Sequence, residues 1–268
     1  MPENGLLTDT LAEDNVVPPL SDASDEAPKE EAKKIRYRAK PKFAMPVPAK
    51  VLLLDLDGTL LDTAPDITTA INRMRAAFGF APVDGALVRN AIGRGTAHLV
   101  SQVMKIAVGE LGASASKVAV GQFEKQYESC FTEASKPFAG VFEGLELFRE
   151  KGFKLGCTSS KAERFTLPLL KQTGLAAYFE LVLCGESTAD GKPAAIPIRD
   201  AAKYFGVAIE ELVFIGDSVH DAAAARAAGC PVVIVSYGYN GGQELRGLDC
   251  DAFADDLPSV LKYVRVAA

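Results

Sequence analysis

Two carboxylates at the end of one apolar run are the residues of this sequence best suited to chemistry. Residues 51–54 are all apolar, and Asp55, Leu56, Asp57 and Gly58 follow them. Such a run is typical of a buried strand, and side chains two positions apart on a strand point to the same face. Asp55 and Asp57 should therefore converge just beyond the strand. Two close carboxylates repel each other unless a cation lies between them or one keeps its proton. The pair suits a Mg²⁺ site or a nucleophile beside an acid, although a strand ending in a plain Asp-Gly turn has the same pattern.

Polar residues also follow three later strands of the predicted sheet. Hydroxyl groups and free N–H groups at a helix start bind phosphate, and a lysine held in a turn supplies a positive charge. Each cluster alone has a structural interpretation: a helix N-cap, a solvated lysine, and a capping box from Ser218 to Asp221. The clusters are Thr158-Ser159-Ser160-Lys161, Gly191-Lys192-Pro193 (with the proline expected to start a helix) and Gly216-Asp217-Ser218-Val219-His220-Asp221.

The elements that must position these residues alternate between helix and strand from residue 141 onward. Short apolar strands separated by helices of about ten residues predict an α/β fold, a Rossmann-like parallel sheet flanked by helices. Ligands bind such sheets at the carboxyl ends of the strands. The predicted helices are 141–151, 161–173, 194–205, 219–228 and one near 257–265, and the strands are 153–158, 181–184, 212–215 and 232–235.

Four consecutive predicted helices separate the first strand from this region. Thr63 or Asp66 can cap the first, which runs to about residue 78; the others end near residues 92, 108 and 133. Four helices without an intervening strand indicate a small inserted bundle. We therefore predict a core formed by residues 49–65 and 137–268, and a helical cap domain over 66–136.

Residues 1–48 have a different composition. Their charges are almost all acidic up to residue 31 and all basic from residue 33, with several prolines and few aromatic residues. Such a segment buries too little apolar area to offset its ordering entropy, so we predict a disordered tail. A docking role for the basic block is the alternative.

Composition limits the remaining possibilities. The 268 residues carry a formal net charge of −6 and are 48% hydrophobic, so no electrostatic footprint for nucleic acid is expected. No apolar run approaches the ~20 residues that span a bilayer, and no signal peptide is recognisable. The five scattered cysteines indicate reduced thiols that fill the core of a cytoplasmic protein.

Together the strand ends predict a site for Mg²⁺ and a phosphoryl group, with a carboxylate nucleophile. In this order the motifs resemble those of the haloacid dehalogenase superfamily, over about residues 49–268. Within it the chain is most similar to phosphoglycolate phosphatases, also in Asp62-Thr63-Ala64-Pro65-Asp66, Ile92-Gly93-Arg94-Gly95, Ala228-Gly229-Cys230-Pro231 and Tyr237-Gly238-Tyr239-Asn240.

The resemblance implies a role for each motif residue. Asp55 attacks phosphorus and forms an aspartyl-phosphate, and Asp57 protonates the leaving alcohol and then activates water. Mg²⁺ is held by the Asp55 carboxylate, the Asp57 backbone carbonyl and Asp217, with Asp221 supporting these ligands. Ser159 binds the phosphoryl group with help from the Ser160 N–H, and Lys192 offsets the charge near Asp55. The cap closes over the site and excludes water.

The sequence departs from the family pattern in two places. Many relatives have Thr-Asn-Lys where this chain has Thr158-Ser159-Ser160-Lys161, so the phosphate-binding hydroxyl is Ser159 or, one register away, Thr158. Arg94 lies between Gly93 and Gly95 in the cap loop expected to face the substrate. It either holds a substrate carboxylate bidentately or is a surface arginine.

The expected function is hydrolysis of a small phosphorylated acid such as 2-phosphoglycolate. The alternatives are a phosphatase for a sugar phosphate or a nucleotide, a phosphomutase, or a phosphate-binding scaffold that uses the tail for docking. A dehalogenase does not need the proton donor Asp57, and a phosphonate hydrolase would lack it. The expected partner is a small-molecule phosphate ester, with neither nucleic acid nor membrane, and the oligomeric state is open.

Overall fold

The computed structural model describes residues 40–267 of the chain, apart from residues 186, 188–190 and 242. The predicted tail lies outside the described residues as far as residue 39. In the described part of the chain, no helix has the length and apolar character needed to cross a membrane.

The described residues form a parallel sheet with an inserted helical bundle. The strands are β1 (Val47–Ala49), β2 (Val51–Asp55), β3 (Leu61–Asp62), β4 (Lys136–Pro137), β5 (Lys154–Thr158), β6 (Leu181–Leu183), β7 (Leu212–Gly216), β8 (Val232–Val235), β9 (Ala252–Ala254) and β10 (Val264–Val266). The α-helices are α1 (Ala64–Ala77), α2 (Gly85–Ala91), α3 (Thr96–Val108), α4 (Ala113–Glu128), α5 (Val141–Lys151), α6 (Glu163–Gln172), α7 (Ile196–Phe205) and α8 (Val219–Ala228).

The central sheet has six strands in the order β6-β5-β2-β7-β8-β9, and all of its neighbouring strands are parallel. β2 is apolar up to Asp55 because helices cover both of its faces. Leu52 and Leu54 pack in a cluster with α5 and α6, whereas Leu53 packs in a cluster with α7 and α8. The chain leaves β2 for β5 on one side and later returns to β7 on the other. A crevice at the carboxyl end of β2 follows from this reversal.

The four helices α1–α4 lie between β3 and β4 in the chain. The short strands β3 and β4 pair antiparallel, with Leu61 opposite Pro137. The Asp66 carboxylate accepts hydrogen bonds from the Ala134 and Ser135 N–H groups at 2.9 and 2.8 Å. These bonds bring the two ends of the insertion together. The helices share an apolar cluster distinct from those on the sheet faces.

The amino-terminal boundary of the core differs from the prediction. Residues 40–48 were assigned to the tail, but the Lys40 N–H donates to the Cys250 carbonyl at 2.9 Å. The Lys42 N–H donates to Asp251 Oδ1 at 2.6 Å, and β1 pairs parallel with β10. The partner residues lie more than 200 positions along the chain, and this distance conceals the pairing from local sequence patterns.

The second half of the chain differs from the prediction in three places. The helix predicted near 257–265 is a 3₁₀ turn, Pro258–Lys262, followed by β10, and strand β9 was missed. Pro193 does not start a helix, because α7 begins at Ile196 with Pro197 in its first turn. β9 and β10 have three residues each and owe their conformation to pairing with β8 and β1, which outweighs local propensity.

The five cysteines are buried and form no disulfide, as the sequence analysis predicts. Four of them fill space in the apolar clusters: Cys130, Cys157, Cys230 and Cys250.

Candidate active site

Asp55 and Lys192 form the centre of the site at the carboxyl end of β2. Their side chains are only 4% and 3% exposed. The Lys192 ammonium donates to Asp55 Oδ1 and, at 2.8 Å, to Asp221 Oδ1. Burial acts to lower the pKa of Lys192, but Asp221 and Asp55 outweigh burial and raise it. Lys192 is therefore a permanent positive charge beside Asp55.

Asp217 and Asp221 come from the end of β7 and the first turn of α8. Ser218 caps α8 in the predicted capping box, and its hydroxyl donates to Asp221 Oδ2 at 2.6 Å. The backbone N–H of Asp217 donates to the same oxygen at 3.2 Å. Asp217 itself accepts from the Thr59 hydroxyl at 3.3 Å and from the Tyr239 N–H at 2.6 Å. Asp221 thus holds the turn that carries Asp217.

The chemistry of this acidic cluster fits a hard cation such as Mg²⁺. Oxygen atoms of Asp55, Asp217 and Asp221 all lie within 4.8 Å of one another, and all three residues are buried. Lys192 supplies one positive charge against three carboxylates. Burial raises the pKa of Asp55 to about 7 and, together with Asp221 and Asp55, raises the pKa of Asp217 well above its ordinary value. A divalent ion with oxygen ligands would balance this excess negative charge.

Close packing fixes Asp217 in this position. Gly58 has φ +92°, and a Cβ atom there would lie 2.3 Å from Asp217 Oδ2. A Cβ atom on Gly238 would lie 2.2 Å from Asp217 Cβ. Both positions therefore need glycine, since any larger residue would displace the carboxylate.

Asp57 has its own partners and is separate from the acidic cluster. Its Oδ1 accepts from the Thr63 hydroxyl at 2.5 Å and lies 3.2 Å from the Lys161 ammonium. Its Oδ2 accepts from the Ser159 hydroxyl at 3.3 Å. These three donors hold the Asp57 carboxylate at the edge of the cavity, where a proton can pass to or from a bound group.

The structure brings both candidate phosphate-binding hydroxyls to the site. Thr158 ends β5 directly opposite Asp55 and is buried. Ser159 lies one residue beyond the strand, contacts Asp57 and also accepts from the Lys161 N–H at 3.1 Å. The Ser160 hydroxyl donates instead to the Gly93 carbonyl at 3.0 Å and so fastens the cap loop to the core.

A cavity of about 40 Å³ lies between the carboxylates and the cap. Its polar lining includes Asp55, Asp57, Lys161 and Lys192. Its other lining residues are mainly apolar or backbone groups of the cap: Ile67, Ile92, Gly93, Gly95, Thr96, Leu99, Phe123 and Tyr127, with Ser160 and Phe165 from the core. The volume admits only a few water-sized groups, so the part of a ligand that enters it must be short.

Arg94 does not take the place expected of it. Gly93 and Gly95 line the cavity, but Arg94 is exposed and absent from the lining. Burial lowers the pKa of His98, and the nearby charge of Arg94 lowers it further. The geometry supports the surface interpretation of Arg94 over carboxylate binding.

Three residues of the site were not predicted from the sequence: Thr63, Tyr127 and Lys161. Thr63 was considered as a helix cap, but its side chain makes no capping bond and donates to Asp57 instead. Lys161 follows the hydroxyl cluster directly, a position that could have revealed it. Tyr127 lies on α4 among apolar positions and carries no local signal that separates it from the cap core.

Comparison with known proteins agrees with this geometry. The family model for haloacid dehalogenase-like hydrolases matches residues 52–235, which include every motif residue of the site. The chain belongs to the haloacid dehalogenase-like hydrolase family. The matched span also contains the whole helical insertion, so the cap of this hydrolase is part of the family match.

Two curated relatives are phosphoglycolate phosphatases. The protein from Thiobacillus denitrificans is 43% identical over 228 residues, covering 84% of this chain and 99% of the relative. The protein from Nitrosospira multiformis is 39% identical, covering 82% of this chain and 97% of the relative. The crystal structure of a predicted phosphoglycolate phosphatase from Haemophilus somnus matches this fold with a TM-score of 0.72. The match covers 80% of this hydrolase and 97% of that chain, with 30% sequence identity.

Proposed function

We propose that this hydrolase is a Mg²⁺-dependent phosphomonoesterase that acts on 2-phosphoglycolate or a similar small phosphorylated acid. The observation that carries the proposal is the separation of two carboxylates with different surroundings. Asp55 lies in the acidic cluster beside Lys192, whereas Asp57 lies among Thr63, Ser159 and Lys161. One carboxylate can thus attack phosphorus while the other moves a proton.

In the first step an Asp55 oxygen forms a bond to phosphorus as the bond from phosphorus to the ester oxygen breaks. Lys192 holds Asp55 Oδ1, and no described residue donates a hydrogen bond to Asp55 Oδ2. Oδ2 is therefore the oxygen available for attack. Asp57 gives its proton to the departing alkoxide oxygen, so the alcohol leaves neutral. The Ser159 hydroxyl donates to a phosphoryl oxygen as negative charge builds up on that oxygen.

In the second step water attacks phosphorus and Asp57 takes its proton. The bond to Asp55 breaks, which frees the Asp55 carboxylate and releases inorganic phosphate. Asp57 is well placed for both proton transfers because Thr63 and Lys161 fix its orientation. The closed cap limits water to a few molecules in the cavity.

Asp55, Asp217 and the Asp57 backbone carbonyl would hold Mg²⁺, with Asp221 supporting them. When bound, Mg²⁺ supplies positive charge that reduces repulsion between the Asp55 carboxylate and the phosphoryl oxygens. Mg²⁺ and Lys192 would then balance the negative charges of Asp55, Asp217 and Asp221.

The size and lining of the cavity favour a small acid over a sugar phosphate or a nucleotide. The cap side includes Ile67, Leu99 and Phe123, and its side-chain hydroxyls are those of Thr96 and Tyr127, which are too few to pair with several sugar hydroxyls. A large leaving group would have to displace the cap.

The test is phosphate release from a panel of phosphomonoesters, with and without Mg²⁺, and with Asp55→Asn as control. The proposal expects release that depends on Mg²⁺, prefers 2-phosphoglycolate and is abolished by the substitution. Equal activity on sugar phosphates would refute the assignment of a small phosphorylated acid as the substrate but would leave the phosphatase reaction standing. No release from any ester by folded protein would refute the proposed function.

A further inference from the structure

Lys161 and Tyr127 meet where the core faces the cap. Lys161 comes from the loop after β5 and Tyr127 from α4, and they are only 9% and 1% exposed. The Lys161 ammonium donates to the Tyr127 hydroxyl oxygen at 2.9 Å and lies 4.7 Å from the centre of the tyrosine ring. Both residues line the cavity.

Each residue retains one hydrogen-bond donor for a ligand. An ammonium group has three N–H donors, and Lys161 directs one to Tyr127 and one to Asp57. Within the described ranges its third has no acceptor. Tyr127 accepts from Lys161, so its own O–H proton is available. Burial raises the pKa of Tyr127 to about 12, and the hydroxyl therefore remains protonated at neutral pH.

These donors lie on the leaving-group side of the site. A carboxylate that protonates the ester oxygen must come within roughly 2.6–3.2 Å of it. Lys161 is 3.2 Å from Asp57 Oδ1, so its ammonium lies within roughly 6.4 Å of an ester oxygen that is protonated from Oδ1. A carboxylate joined to that oxygen through a single carbon falls within this distance.

We propose that Lys161 and Tyr127 form a two-donor subsite for a second anionic group of the substrate, a carboxylate one carbon removed from the ester oxygen. The inference rests on the proposed phosphatase function and assigns its substrate specificity to two residues. Lys161 is the specificity-determining residue that touches substrate, and Tyr127 both holds Lys161 and donates its own hydrogen bond.

The other cations near the cavity do not compete for this role. Lys192 also has a third N–H donor, but its bonds to Asp55 and Asp221 place it beside the attacking carboxylate and not beside Tyr127 of the cap. Arg94 lies outside the lining. Among the described residues, Lys161 is therefore the cavity cation that still has a donor to offer on the cap side.

The test compares kcat/KM for 2-phosphoglycolate with that for propyl phosphate, which keeps the short chain and lacks the carboxylate. The variants are Lys161→Met, Lys161→Arg, Tyr127→Phe and Arg94→Met, and circular dichroism and thermal melting verify their folding. Lys171→Met, at an exposed position on α6, is the control for loss of a lysine charge.

Lys161→Met should lower the preference for 2-phosphoglycolate about 10- to 100-fold, because a hydrogen bond to a charged group is lost. Tyr127→Phe should lower it less, about 3- to 10-fold. Lys161→Arg should retain most of it, whereas Arg94→Met and Lys171→Met should leave it unchanged.

Two results would overturn the inference while the phosphatase function stands. One is an equal fall on both substrates in Lys161→Met, which would mean that Lys161 only holds Asp57. The other is loss of preference in Arg94→Met with none in Tyr127→Phe or Lys161→Met. Absence of phosphate release by the unaltered protein would instead refute the proposed function.

Discussion

Replacing Lys192 with methionine tests the electrostatic balance of the acidic cluster. Methionine keeps an unbranched side chain, shorter by the terminal nitrogen, and removes the charge between Asp55 and Asp221. Removing one partner of a buried ion pair costs about 3–5 kcal/mol, because the remaining charge is left uncompensated. At about 2–4 °C per kcal/mol for a protein of this size, Tm without Mg²⁺ should fall by about 6–20 °C.

The variant should also respond more strongly to Mg²⁺. Three carboxylates without the lysine attract a divalent cation more tightly, and binding to the folded state raises Tm by mass action. Phosphate release at saturating Mg²⁺ should still fall about 10²- to 10³-fold, because Lys192 no longer offsets charge at the reacting centre.

Thermal unfolding with and without Mg²⁺ measures both effects, and the exposed-site variant Lys171→Met is the matched control. A fall in Tm no larger than that of the control would contradict the buried ion-pair reasoning. Equal Mg²⁺-induced shifts in Lys192→Met and the unaltered protein would mean that Lys192 and the cation do not share these carboxylates.

Other substitutions test the roles of single groups at the site. Asp57→Asn should slow hydrolysis of alkyl phosphates by about 10²- to 10⁴-fold. The first-turnover release of p-nitrophenol from p-nitrophenyl phosphate should be slowed much less, since that leaving group needs no proton, although turnover still needs Asp57 as the base of the second step; equal losses in the first turnover would refute the acid role. Ser159→Ala should lower kcat/KM about 10-fold or more and Thr158→Val less, if the residue-159 hydroxyl binds the phosphoryl group. The reverse order would assign that role to Thr158. Gly58→Ala should abolish the Mg²⁺-induced rise in Tm, because its Cβ atom would displace Asp217. An unchanged rise would show that the turn can adjust.

The motif residues could be placed from the sequence because their positions depend on local periodicity. A strand of the central sheet must end where its apolar run ends, and parallel strands bring their carboxyl ends to one edge. Asp55 and Asp217 meet at that edge for this reason, whereas Lys192 reaches it from the loop between β6 and α7. The capping box of Ser218 and Asp221 is likewise a property of four consecutive residues.

Other parts of the fold depend on partners that are distant in the chain. β1 exists because β10 pairs with it across more than 200 residues, and neither segment is distinctive alone. Arg94 is a comparable case. Its position between two glycines left both a ligand contact and a surface position open, and in the fold its side chain is exposed and outside the cavity lining.

The sequence by itself determined which carboxylates and hydroxyls meet at the carboxyl edge of the sheet, because they lie at strand ends and helix starts whose geometry is local. Only the tertiary structure decided what surrounds these groups. Tyr127 approaches Lys161 because α1 and α4 pack together in the cap and the cap closes on the core. Such a contact depends on the packing of side chains from separate elements, and no spacing within the chain encodes it.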